Sequence, residues 1–424
     1  MYLLDNAARD YDWGSRSDIP QFLGRSPGDR IAEVWMGTHP LGPSSVLVGD
    51  TSVPLSQVAG ELPFLFKILA ADRPLSLQVH PNASMAQAGF EAEEAAGVPI
   101  DAPERTYRDP SHKPEMAYAL TTFDTLVGFR PTAEILRVLN GIDTPLTQSL
   151  ADGLRERPGF RGIVRLVERL LTSDVSTDEI GEVVEVCRGL VDVGVDVKRA
   201  YVTAVEIAEF YPGDIGVIIS LTLNRLTLQP GEAAFLGAGI IHAHLKGMCL
   251  EIMAASDNVL RAGLTTKSLD PKGLVACLEK GMSRLARVTP EPFGFSTEVF
   301  HPDVEEFALA VGQSCPPSRR GCCSHREPSA SSCAPVVRSS RQHRRRAREA
   351  RPRRVGLRRG RGRSDPRHRD RRGRPGVHAR SRRPGRRADR PGVPLARAPG
   401  TSSRLIPAAE TGSVDPQPHI AQCG

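Results

Sequence analysis

Four short stretches of this 424-residue chain carry side chains able to bind a metal ion or move a proton. In Ser76-Leu77-Gln78-Val79-His80-Pro81, strand alternation would put Ser76, Gln78 and His80 on one face and Leu77 and Val79 on the other. Either that polar face meets solvent, or the Gln78 amide oxygen and a His80 ring nitrogen converge on one ion. Tyr107 to Glu115 packs a base, a cation and a carboxylate (His112, Lys113, Glu115) into four residues ahead of the apolar run MAYAL. It reads as a charged turn, or as a proton-transfer loop with Glu115 as a third ligand. Glycines precede His242 and His244, which at i and i+2 share a strand face. One histidine in such a place is a hydrogen-bonded core residue or a metal ligand. Finally, Arg261 follows the polar turn Ser256-Asp257-Asn258. A guanidinium there suits a planar anion, such as a phosphate or an enediolate, as well as it suits a structural salt bridge.

The elements that would position these residues change character along the chain. Residues 1–130 read as short strands, with Phe64–Leu69 and Leu75–His80 bounded by Pro and Asp. Residues 131–212 read as a helical insert. Ile163, Leu166, Val167, Leu170 and Leu171 recur at i, i+3, i+4, i+7 and i+8, and Ile180, Val183, Val184 and Cys187 repeat the stripe. Strands are expected again over 215–254, with Pro230-Gly231 turning between LNRLTL and AAFL. Asp270 and Pro271 read as the N-cap and first position of a helix burying Leu274, Val275 and Leu278. Strand-like sequence follows at Phe295–Val299 and Glu306–Val311. Residues 213–311 are therefore the return of the β structure.

Composition divides the chain at about residue 312. The remainder, 313–424, holds 29 Arg, no Lys, no Phe, Tyr or Trp, and 7 acidic residues; the first 312 residues keep 27 basic and 42 acidic ones. The net charge of +7 thus averages a body near −15 and a tail near +22. A segment of Arg, Pro, Gly, Ser and Ala without period buries too little apolar surface to offset its ordering entropy, so 312–424 is expected to be disordered. It has the composition of a GC-rich gene read out of frame from about codon 312; the competing reading is an arginine-rich tail that binds nucleic acid through phosphates. The body's three scattered cysteines (Cys187, Cys249, Cys277) suggest a reducing compartment. The first residues lack a secretion signal's basic and apolar regions, and no apolar run is long enough to span a bilayer. A cytoplasmic location is expected, with no membrane partner.

As an ordered set, these stretches resemble the type I mannose-6-phosphate isomerases, a zinc-dependent cupin family. The likeness is carried by Tyr11-Asp-Trp-Gly-Ser15, Ala32 to Pro40, Leu62 to Leu69, Pro74 to Pro81, Tyr107 to Glu115, Tyr211 to Asp214 and His242 to Thr265, and it runs to about residue 311. It implies a mainly β fold: a cupin (double-stranded β-helix, jelly-roll) barrel with an α-helical domain inserted, and a second cupin barrel left incomplete. It implies one zinc ion per monomeric chain, held by Gln78, His80, Glu115 and His242. Catalytic roles fall to Arg261, Lys113 and His112, and contact with a small sugar phosphate to Lys67, Ser76 and His244. The implied reaction interconverts mannose 6-phosphate and fructose 6-phosphate through an enediol, upstream of GDP-mannose. A cupin that binds a sugar phosphate without turning it over is the alternative. Three departures stand out. His244 replaces a common Tyr, Thr265-Thr266-Lys267-Ser268 replaces Thr-Pro-Lys-His, and Gly237 stands where Pro is frequent.

Overall fold

The computed structural model describes residues 3–279, 287–294 and 296–312, and the backbone of 313 and 333–338. All belong to one compact unit, Met1–Ala350. The first third holds β1 (Leu4–Asp5), β2 (Ala7–Arg9), α1 (Asp18–Phe22), β3 (Glu33–Met36), β4 (Ser45–Val48), β5 (Thr51–Pro54), α2 (Leu55–Ala59), β6 (Phe64–Ala71), β7 (Leu77–Val79), α3 (Ala83–Ala95), β8 (Glu115–Ala119) and β9 (Phe123–Phe129). The insert holds α4 (Thr132–Asn140), α5 (Pro145–Glu156), α6 (Phe160–Thr172), α7 (Thr177–Asp192) and α8 (Ala200–Ala208). Then come α9 (Ile215–Ser220), β10 (Leu223–Leu228), β11 (Ala233–Leu236), β12 (His242–Ala254), β13 (Leu260–Gly263), α10 (Pro271–Cys277), β14 (Arg287–Val288), β15 (Glu291–Pro292), β16 (Thr297–Phe300), β17 (Ala308–Gln313) and β18 (Cys333–Arg338).

Eleven strands form one sheet whose hub is β12. Its residues 247–254 pair with β6 and β8, and residues 242–246 pair with β7 and β9. Between the halves, the pairing with β9 shifts register between His244 and Lys246. A bulge of one residue changes which side chains face inward. It lets His242 and His244 share a side with Glu251 despite the change from even to odd numbering. Gly247 follows at φ 111°, and a Cβ there would lie 2.4 Å from the Thr122 carbonyl oxygen. The turn demands glycine.

Strand alternation sets what lies behind each half. Leu77, Val79, Leu126, Ala243, Leu245, Leu260 and Ala262 point to the helical insert and merge with its buried stripes, including Ile163, Leu166, Val167, Leu170, Ile180, Val183 and Cys187. Phe64, Phe66, Ile68, Met116, Tyr118, Leu250 and Ile252 point the other way, onto Phe300, Leu309 and Val311 of the four-stranded sheet β15–β18 and Phe307 just before β17. The intervening side chains of β6, β7, β8, β12 and β13 face the interior that these covers enclose.

The insert matches the periodic reading, and its helices carry local start signals. Thr144 caps α5 with Pro145 in its first turn, and Ser176 with Glu179 forms a capping box on α7. Asp270 accepts from the Gly273 amide at the start of α10, with Leu274 and Leu278 buried and Val275 only partly so. Three expectations need correction. Residues 1–130 contain three helices; α3 shows no periodic stripe because only Ala86 on it is fully buried, so Asn82, whose side chain caps it, was its one signal. The run from Ile215 is a helix rather than a strand: Asp214 caps it, and a short, wholly buried helix has no polar face to reveal its period. The tail is not devoid of elements, since β18 pairs antiparallel with β17, from Ala308↔Arg338 to Gln313↔Cys333. The open edge of β17 offers unpaired backbone groups, and 333–338 contains adjacent β-branched valines. The rest of 314–424 lies outside the described residues.

Candidate metal centre

Three of the expected ligands meet. The candidate ligand atoms of His80, Glu115 and His242 all lie within 4.8 Å of one another, and all three residues are buried. They arrive from separate places: His80 just past β7, Glu115 opening β8, His242 opening β12. The His80 Nδ1–H donates to the Asn258 carbonyl at 2.7 Å, and the His242 Nδ1–H donates to the Ile240 carbonyl at 2.9 Å. A carbonyl only accepts, so each ring keeps its lone pair on Nε2. Those Nε2 atoms lie 3.2 and 3.3 Å from the Glu115 oxygens, yet both of them, and Glu115 Oε2, are buried without a hydrogen-bond partner. Three orphaned acceptors facing one point in a buried site fit a divalent cation, with the carbonyls behind them fixing ring orientation.

Gln78 is placed by register. It lies opposite His242 on one side of β7 and opposite Arg261 on the other, so the three side chains share a face in one row. Lys113 Nζ is 3.2 Å from Glu115 Oε1. Burial alone would push the Glu115 carboxyl up, but the adjoining His80 ring and Lys113 ammonium hold it well below the usual carboxylate range. Burial pushes the His80 ring down, towards its neutral, ligating form.

The loop before β8 is held by a residue whose part the sequence did not disclose. The Asn258 side chain accepts from the amides of Arg108 (2.7 Å) and Asp109 (3.3 Å) and donates to the carbonyls of Asp109 (2.7 Å) and Ser111 (2.9 Å). Asp109 in turn accepts from the Asp257 amide and the Ser256 hydroxyl. Asn258 therefore ties the loop to the turn before Arg261 while its own carbonyl orients His80. His112 hydrogen-bonds through Nε2 to Glu306 at 2.6 Å. Ser76 is half-buried beside β7.

Lys67 and His244 belong to a buried network on the floor of the interior. Lys67 Nζ lies 3.2 Å from Glu33 and 3.4 Å from Glu251; Glu251 also contacts His244 Nε2 at 3.0 Å, and His244 Nδ1 lies 3.1 Å from the Thr125 hydroxyl. Trp35 Nε1 donates to Glu33. Burial alone would lower the Lys67 pKa, but Glu33 and Glu251 raise it above the ordinary lysine value. Both His244 nitrogens are thus engaged by protein. Glu33, Glu251 and Thr125 escaped the sequence reading because their partners lie up to 184 positions away.

Arg261 is half-buried and differs from Lys67 and Lys113. Burial and the nearby Arg108 both lower its pKa, and no carboxylate forms an ion pair with it among the described residues. Lys267 is lowered in the same way, by burial, Arg261 and Arg108. Asp257 feels the Arg108 charge, but none of the three cations forms an ion pair among the described residues.

Comparison with known proteins agrees with this arrangement. Residues 1–132 match the sequence profile of the phosphomannose isomerase type I catalytic domain. The chain is 37% identical over 331 residues to a mannose-6-phosphate isomerase of Escherichia coli, covering 73% of this chain and 83% of that one. It is 33% identical over 354 residues to the human mannose-6-phosphate isomerase, covering 73% and 81%. A crystal structure of the Salmonella typhimurium mannose 6-phosphate isomerase, bound to fructose 6-phosphate and zinc, aligns with a TM-score of 0.65 and 35% identity over 74% of this chain and 83% of that one. Together with the buried donor triad, these likenesses establish that the chain belongs to the type I phosphomannose isomerase family.

Proposed function

We propose that this chain interconverts D-mannose 6-phosphate and D-fructose 6-phosphate, with one zinc ion held by Gln78, His80, Glu115 and His242. The carrying observation is the meeting of three buried, unpartnered donor atoms, with Arg261, which has no ion-pair partner among the described residues, on the same sheet face. When bound, the zinc supplies a Lewis acid next to the oxygens of the sugar. Gln is an uncommon zinc ligand, and an amide with two neutral imidazoles leaves only the Glu115 charge to offset the metal. That retained positive charge suits a reaction whose intermediate is anionic.

The chain's own groups do the rest. A proton must leave C2 of the aldose and return at C1, and the charge that builds on oxygen needs a fixed donor. Arg261 sits across from Gln78 on the shared face and serves as that donor. Lys113 and His112 are the proton-transfer groups. Arg108 and Lys267, which surround Arg261 electrostatically, hold the phosphate with it. Ser76 meets the sugar from beside β7, while Lys67 and His244 line the floor and keep Glu251 ionised and oriented.

The enclosed polar interior supports reading the eleven-stranded sheet and its covers as a cupin barrel over 1–130 and 213–311, with 131–212 as the inserted α-helical domain. On this reading β15–β18 begins a second, incomplete barrel. Among the described residues, no helix is long and apolar enough to cross a membrane. A monomer working in the cytoplasm towards GDP-mannose completes the reading. It is tested by coupling fructose 6-phosphate formation from mannose 6-phosphate to an indicator enzyme, before and after chelation. Turnover lost on chelation and restored by zinc is expected. Absent turnover in zinc-loaded protein, or turnover indifferent to chelation, would refute it.

A further inference from the structure

The contact between His112 and Glu306 joins two parts of the fold that alternation alone keeps separate. His112 sits in the loop that enters β8, and Glu306 lies just before β17 in the other sheet. His112 Nε2 and Glu306 Oε1 are 2.6 Å apart. A carboxylate only accepts, so the hydrogen is on Nε2, and a neutral ring then keeps its lone pair on Nδ1. The other carboxylate oxygen, Oε2, is buried without a hydrogen-bond partner, so Glu306 has no competing side chain to turn towards among the described residues.

The backing of this carboxylate is packed apolar structure. Phe307, the next residue, is fully buried, and with Phe300 and Leu309 it packs on Met116 and Tyr118 of β8. The Tyr118 and Phe300 rings meet edge-on, 5.4 Å between centroids. The sheet that carries Glu306 is therefore packed against the back of the strand that presents Glu115 on its front. From the opposite side, Asn258 fixes the Ser111 carbonyl, one residue before His112. The ring is held between two anchors of different origin.

From this geometry we infer that Glu306 is a positioning residue for the isomerisation. It holds His112 in the Nε2–H tautomer, so that Nδ1 is the atom that accepts the C2 proton and delivers it to C1. The inference rests on the proposed isomerase reading. In the step, the C2–H bond breaks and the proton goes to Nδ1. The electron pair forms the C1–C2 double bond, and the carbonyl pair moves onto O1. Return of the proton to C1, with transfer of the O2 proton to O1, leaves the ketone and the original ring.

The test uses the full, zinc-loaded chain and the substitutions Glu306→Ala, Glu306→Gln and His112→Asn. Removing a partner that orients an active group typically costs about 10–100-fold, so Glu306→Ala should lower kcat by that factor while KM moves less than about threefold. Glu306→Gln, which still accepts a hydrogen bond, should recover most of the loss. In a His112→Asn background the Glu306→Ala change should alter kcat by less than about twofold, because the two act as one unit. Nitrogen-15 spectra of histidine-labelled protein should show His112 protonated at Nε2 in the parent chain and mixed between tautomers in Glu306→Ala. The inference is overturned if Glu306→Ala leaves kcat unchanged, if its loss persists without His112, if KM and melting temperature collapse with no separate fall in kcat, or if His112 carries its proton on Nδ1. A parent chain without turnover refutes the isomerase reading instead, and the spectra still decide the tautomer.

Discussion

Strands β7, β12 and β13 each have an aliphatic side and a polar side, and the two sides face interiors of opposite kind. Behind them, Leu77, Val79, Ala243, Leu245 and Leu260 join the helical insert in a core of Leu, Ile and Val. In front, Gln78, His242 and Arg261 form a row beside a floor of Lys67, Glu33, Glu251 and His244. Both interiors are buried. The aliphatic one gains stability from each side chain removed from water. The polar one costs stability unless every charge finds its partner. The first holds the strands in register, and the second spends some of that stability on keeping charges and orphaned acceptors in place.

Substitutions on the two sides should separate these roles. The largest effect belongs to Glu115→Ala, which removes the only carboxylate from the triad. Zinc content by elemental analysis should fall from one per chain towards zero, and turnover by more than about 100-fold, since losing a mere outer partner already costs 10–100-fold. Stoichiometric zinc in that variant would break the assignment. Lys67→Met removes the cation that Glu33 and Glu251 share, leaving them only Trp35 and His244, and breaking a buried pair in this way costs about 3–5 kcal/mol. Urea unfolding would measure it, and a variant as stable as the parent would show that the two carboxylates do not share their charge with Lys67. On the aliphatic side, Leu166→Ala opens a cavity worth about 2–5 kcal/mol. Zinc content and kcat of the folded protein should stay at parental values, so a fall in kcat would blur the contrast between the interiors. The smallest effect is expected at the rim of the insert, where Ser176→Ala deletes the capping box of α7 at a cost of about 1 kcal/mol, read as a small drop in melting temperature.

The same contrast explains what could be read in advance. The stripes of α6 and α7 are local, so their period announces helix, buried face and boundaries together. The ligand set was legible only as an ordered group, because His80, Glu115 and His242 are each ambiguous alone. The resemblance supplied what spacing could not. Helix α3 escaped because it lies on the surface and buries little. Helix α9 escaped for the opposite reason, being buried on all sides. Asn258 sat in plain view within a quoted motif, but its work depends on backbone groups about 150 positions away, and no local pattern encodes that. His244 illustrates the same limit: its position on the inward face was predictable, its capture by Thr125 and Glu251 was not.

The offset in β12 between His244 and Lys246 has a consequence for how this chain tolerates length changes. Upstream of it, even-numbered residues look inward; downstream, odd-numbered ones do. Losing one residue at the offset itself would leave His242 and Glu251 an even number of positions apart, so a regular ladder would still turn both inward. Losing or gaining one residue elsewhere between them, with the offset kept, would put the two ends of the strand out of phase with their duties: if His242 keeps its place, Glu251 turns to the oily side, and if Glu251 keeps its place, the imidazole is carried away. The strand is spliced from two reading phases, and one irregular joint keeps both in use.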